Sequence, residues 1–153
     1  MSDITSAIRR FKELQHIAVA GVSRKGNLPG NHICEKLAAS GRDVYVVHPE
    51  ITEWPNCTCY PTVEALPEAV EGLVVATHRK HTLKLTLQAI EKQNLRHIWF
   101  HRSFGEGSVD EEALNRAREH GLSVTSDGCP MMVFEPVDIF HRCVGWFKGI
   151  SPE

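Results

Sequence analysis

The chain has 153 residues, 42% of them apolar and 24% charged, with a formal net charge of −2. That is room for one domain with a single substantial core, and the near-neutral balance excludes general nucleic-acid binding, which needs a basic face to release counterions. No apolar run approaches the roughly 20 residues of a membrane span and no signal-peptide core is visible, so no membrane partner is expected and the expected location is cytoplasmic.

From the N-terminus, Asp3–Leu14 reads as a helix with Ile4, Ile8 and Phe11 on one face. Ile17–Gly21 reads as a buried strand that breaks into a loop of glycines, Ser23, Arg24 and Lys25 before a helix over Asn31–Ala39. A strand feeding such a loop and a helix N-terminus is an arrangement that binds phosphate. Small side chains bare the backbone N–H groups, and the helix dipole favours an anion. Gly21-x-Ser23-x-x-Gly26 mimics the dinucleotide fingerprint, with serine at the second glycine. Helical periodicity resumes only near Pro29–Asn31, and two cations sit in the loop, so it suits a ligand with more phosphate charge than NAD.

Val44–His48 is the second strand. An NAD site expects an acid near its end to accept from the ribose hydroxyls. Here the strand ends Val46-Val47-His48-Pro49, with Glu50 only beyond the proline, which favours an adenosine carrying an extra ribose phosphate. A short helix is expected over Thr62–Leu66, a strand over Leu73–Thr77, and a helix over Lys80–Gln93 with Leu83, Leu87 and Ile90 facing the core. His97–His101 is the fourth strand. The helix over Val109–His120 opens on the capping box Ser108-Val109-Asp110-Glu111 and stops at Gly121, and Leu122–Ser126 is the fifth strand.

Val- and Ile-rich strands alternating with helices predict an α/β, Rossmann-like, doubly wound sheet of five parallel strands in the order 3-2-1-4-5. Its ligand belongs at the carboxyl ends of the strands, beside the first. A last helix over Val137–Lys148 extends this single domain of residues 1–153. Its apolar residues, Phe140, Trp146 and Phe147 among them, fill half a helical wheel, wider than the usual stripe of about 100°. That surface either docks on the sheet or makes a homodimer, and a homodimer is the expectation.

The five cysteines cannot all pair and read as reduced thiols; Cys57-x-Cys59 has the wrong spacing for a C-x-x-C site. His78-x-x-His81 lacks a third ligand in the pattern, so no metal site is assigned. Cys129, in a glycine-proline turn after the fifth strand, is the best nucleophile candidate. No base accompanies it, and neither a G-x-S-x-G elbow nor a Walker loop occurs.

Ile17–Arg24, Val47-His48-Pro49, Cys59-Tyr60-Pro61-Thr62 and the region around Val75–Arg79 together resemble the CoA-binding domain family, over roughly residues 10–130. The resemblance includes small stand-alone bacterial proteins and the N-terminal domain of the succinyl-CoA synthetase alpha chain. It implies that Gly21, Ser23 and Arg24, with Lys25 in the same loop, hold the phosphates of CoA or an acyl-CoA. Pro49 would line the cleft, Tyr60 and Pro61 would lie near the adenine, and Thr77 and Arg79 would stand at the end of the third strand. A planar tyrosine suits a base face, and arginine suits bidentate phosphate bonds.

Three places depart from the family pattern: His48, where the family often has asparagine, the stretch Trp99–Gly105, and Asp127–Met132. The family's synthetases need a second domain with a phosphorylatable histidine and a nucleotide-grasping partner, for which this chain has no room. The expectation is therefore a CoA-binding protein without evident catalytic machinery. Two alternatives stay open: an NAD(P)-binding redox sensor or small oxidoreductase, and an acyl-CoA enzyme using Cys129.

Overall fold

The structure is a computed structural model that describes residues 2–26, 28–102 and 107–134. Its centre is one parallel sheet of β1 (His16–Ala20), β2 (Asp43–Val47), β3 (Cys57–Tyr60), β4 (Gly72–Val75), β5 (His97–Phe100) and β6 (Ser123–Thr125), in the order β3-β2-β1-β4-β5-β6. The doubly wound α/β architecture is the expected one, with six strands rather than five. β3 fills the third place in the order, and the Leu73 strand lies across β1 as β4. β3 escaped notice because Cys57-Thr58-Cys59-Tyr60 sits at the sheet edge with one neighbour and no fully buried residue. It therefore carries no apolar run. Every residue of β4 and β5 is buried, as both-face coverage requires.

One face of the sheet is covered by α1 (Ser2–Lys12) and α2 (Pro29–Ala39), the other by α3 (Thr82–Glu91) and α4 (Glu111–Glu119). α1 anchors through Phe11, which is fully buried and meets the rings of His97 at 5.0 Å, Trp99 at 5.0 Å and Phe134 at 6.2 Å, all edge-on. Burying a phenylalanine contributes about 1.5–3 kcal/mol, with a further increment from the edge-on rings. Arg42 ties the same helix down: its guanidinium donates to the Lys12 carbonyl and lies 4.4 Å from the Phe134 ring centroid. Ile4, expected on the core face, is 43% exposed.

α3 also turns differently from its apolar pattern. Thr82, Thr86 and Ala89 form its buried face, whereas Leu87 is exposed and Leu83 and Ile90 are half-buried. The threonines tolerate burial because Thr82 Oγ1 donates to the Ser108 carbonyl and Thr86 Oγ1 to the Thr82 carbonyl, both at 2.7 Å. Thr62–Leu66 forms turns rather than a helix, closed by Ala65 N–H to the Thr62 carbonyl. α4 is capped by Asp110, which accepts from the Ala113 N–H at 2.9 Å, and not by Ser108. The expected helix 137–148, and with it the expected homodimer surface, lies outside the described residues. No described helix is long and apolar enough to cross a membrane.

Candidate functional site

At the carboxyl ends of β1, β2 and β4 a cleft of about 840 Å³ opens. Ala20, Val47 and Ala76 form its floor, where the chain leaves the central strands. This is the crevice beside the switch in winding direction, where doubly wound sheets bind ligands.

The first wall is the loop after β1. Gly21 has φ +122°, and a Cβ there would lie 2.5 Å from the Ala76 carbonyl carbon and oxygen. Gly30 is as constrained, since its Cβ would strike the Gly21 carbonyl. The two glycines thus lock β1, β4 and the start of α2 together through backbone contact. In the fingerprint the third glycine serves this close packing; here Gly30 serves it, and a Cβ on Gly26 would meet open space. Asn31 shapes the loop between them. Its Oδ1 accepts from Ser23 N–H at 2.9 Å, and its Nδ2 donates to the carbonyls of Ser23 at 2.9 Å and Gly26 at 3.1 Å. The Ser23 hydroxyl accepts from Lys25 N–H at 3.0 Å, so Ser23 is used inside the loop.

α2 then begins with Pro29, with no side-chain cap at Leu28 and no acid in its first turn. Both Leu28 and Pro29 line the cleft.

His48 ends the second strand's approach to the cleft. Its Nδ1 accepts from the backbone N–H groups of Glu50 and Ile51, each at 3.0 Å, which places the ring proton on Nε2. The ring thereby closes the turn as a short amide side chain does, which accounts for histidine standing where the family often has asparagine. The far wall carries Thr77, His78, His81, Lys84 and His101. Ser108 Oγ donates to the Thr77 carbonyl at 2.5 Å and fixes this wall to the loop after β5. The Thr77 hydroxyl itself is buried without a hydrogen-bond partner among the described residues.

Of the residues expected at the site, Gly21, Pro49, Pro61 and Thr77 line the cleft; Ser23, Arg24, Lys25, Tyr60 and Arg79 stand outside its lining. Arg24 is exposed and donates to the Glu53 carbonyl at 3.4 Å. Tyr60 is half-buried, its ring 6.1 Å from that of Tyr45. Gly30, Asn31 and Lys84 were not expected at the site, and His81 was considered only as a metal ligand. Gly30-Asn31 directly after a proline at a helix start was the available signal for the first two; His81 stood out only in the His78-x-x-His81 metal pattern, and Lys84 had no signal. Cys129 is 1% exposed in the core and off the cleft lining, which removes the nucleophile from the acyl-enzyme alternative.

Residues 15–135 match the family model described as CoA binding domain. Over 142 residues the chain is 25% identical to an ADP-forming acetate–CoA ligase of Archaeoglobus fulgidus, covering 90% of this chain and 20% of the ligase, so it spans about a fifth of that relative. A hypothetical protein from Pyrococcus horikoshii has a TM-score of 0.74 and 30% identity, over 82% of this chain and 86% of that one. A dinucleotide-forming acetyl-coenzyme A synthetase of Ca. Korarchaeum cryptofilum shares the fold at a TM-score of 0.66 and 24% identity, over 76% of this chain and 26% of that one.

Proposed function

The chain belongs to the CoA-binding domain family, and from that premise we propose that it binds CoA or an acyl-CoA in the cleft at the ends of β1, β2 and β4. The observation that carries this reading is the start of α2, which meets the cleft with no side-chain cap and no acid in its first turn. Uncapped N–H groups and the positive end of the helix dipole favour a phosphate there. In this reading the Gly21–Lys25 loop and the start of α2 hold the phosphates, and Arg24 reaches them from the rim. The adenine lies toward Pro49, Tyr60 and Pro61. The pantetheine arm passes Leu28 toward Thr77, whose unpartnered hydroxyl gains a hydrogen bond from it. The cleft volume of about 840 Å³ suits a ligand of that length.

Calorimetry with CoA, dephospho-CoA and NAD tests the proposal. CoA binds tightest if the loop and its cations recognise the extra ribose phosphate. Equal affinities, or a preference for NAD, overturn it and favour the NAD(P) alternative. Mass spectrometry of the ligand retained by the native protein then identifies any acyl group.

A further inference from the structure

The far wall of the cleft carries charge and donors that the phosphate loop does not use. His81, Lys84, Leu85 and Gln88 all line the cleft. Their spacing of i, i+3, i+4 and i+7 puts them on one stripe at the start of α3. α3 thus has two working faces: Thr82, Thr86 and Ala89 are buried, and this stripe borders the cleft. Among the described residues, the side chains of His81, Lys84 and Gln88 have no hydrogen-bond or ion-pair partner. His78, three residues before the stripe, adds a donor. Its Nδ1 accepts from the Lys80 N–H at 3.1 Å, which places the ring proton on Nε2.

The stripe is held in place from beneath. Thr82 Oγ1 donates to the Ser108 carbonyl at 2.7 Å, and Ser108 Oγ donates to the Thr77 carbonyl at 2.5 Å. These bonds tie the first turn of α3 to the segments that follow β4 and β5. Neither aspartate nor glutamate occurs among the described lining residues, so no carboxylate of the wall neutralises the Lys84 ammonium. A cleft walled by a cation and N–H donors without an acid attracts anions.

We infer that this stripe selects an acyl-CoA whose acyl group ends in a carboxylate. The inference rests on the proposed CoA site, in which the pantetheine arm runs past Leu28 toward Thr77. The group carried on its sulfur then arrives at His78, His81 and Lys84. The Lys84 ammonium pairs with the carboxylate, and His78 Nε2–H and the Gln88 amide donate to its oxygens. Leu85 offers apolar surface to the methylenes between thioester and carboxylate. An acyl group that ends in a methyl leaves these donors to water and gains the Leu85 contact alone.

The test is calorimetry of the full chain with CoA thioethers, which do not hydrolyse, in matched pairs: carboxymethyl against carbamoylmethyl, and carboxyethyl against carbamoylethyl. Each pair shares length and shape and differs in charge. On the unmodified protein, which needs no variant to fold, the carboxylate of at least one pair binds about fivefold or more tighter than its amide. Lys84→Gln brings that preference down to about twofold or less. Arg24→Ala weakens acid and amide by the same factor, because it acts on the phosphates. Equal affinities within both pairs overturn the inference and leave CoA binding standing. Loss of affinity shared equally by acid and amide in Lys84→Gln assigns Lys84 to the phosphates and overturns it as well. Failure of CoA and of every thioether to bind overturns the CoA site itself, and the inference falls with it.

Discussion

The two walls of the cleft are built on opposite plans. The loop wall is set by backbone: Gly21 and Gly30 leave no room for a Cβ, and Asn31 spans the loop with three hydrogen bonds. The far wall is set by side chains: Thr77, His78, His81 and Lys84 project from a short turn and from α3. The cations expected to face the ligand, Arg24 and Lys25, belong to the backbone wall yet stand outside the lining. A wall made of backbone resists substitution and fixes position, whereas a wall made of side chains adjusts affinity.

The largest effect expected from this contrast is at Gly21. Gly21→Val forces a side chain into the Ala76 backbone at positive φ, so urea melts should show a loss of about 3 kcal/mol or more. A loss under about 1 kcal/mol would show that the loop wall yields and is not rigid.

A pH series separates the cleft from the amino end of the sheet. His97 is held down to about 4 from its ordinary 6.5, first by burial and then by the Arg10 charge. The unfolded chain takes up this proton first as pH falls, so the stability is complete above pH about 6.5 and is lost down to about 4. At pH 5 the loss is about 2 kcal/mol. His97→Gln should flatten this slope between pH 7 and pH 5. An unchanged slope would show that His97 does not carry the acid sensitivity.

Asn31→Ala removes the brace of the loop and should lower stability by about 1.5 kcal/mol in the same melts. Its CoA affinity should fall as well, because the loop amides are no longer held in place. Stability lost with affinity intact would separate the brace from the binding site.

The smallest expected effects compare the two walls directly by calorimetry. Arg24→Ala should weaken CoA binding about tenfold, the worth of one charge-assisted phosphate bond. Lys84→Ala, removing an exposed charge from the far wall, should weaken it about threefold. The reverse order would move the phosphates across the cleft.

Much of this architecture was legible because buried parallel strands announce themselves as Val and Ile runs, and Gly21 sits where such a run breaks. What the sequence hid obeys other rules. β3 is an edge strand with a polar alternation, so it lacks the run. The buried face of α3 is Thr82, Thr86 and Ala89, not the larger leucines, because the threonine hydroxyls find carbonyl partners that periodicity does not reveal. Ser108 looked like a cap, but its hydroxyl serves the Thr77 carbonyl, a partner 31 residues away that periodicity does not reveal. Glycine spacing alone pointed to Gly26, while close packing is a three-dimensional property and belongs to Gly30.

The anchoring of Phe11 bears on the order in which the chain assembles. Its ring partners, His97, Trp99 and Phe134, are all encoded more than 80 positions later. During synthesis the ring seat of Phe11 is not complete until β5 and the segment through Phe134 have emerged. At about 5–20 residues per second that interval lasts several seconds or more. The docking of α1 through Phe11 is therefore completed late, and its apolar face spends that interval accessible to chaperones.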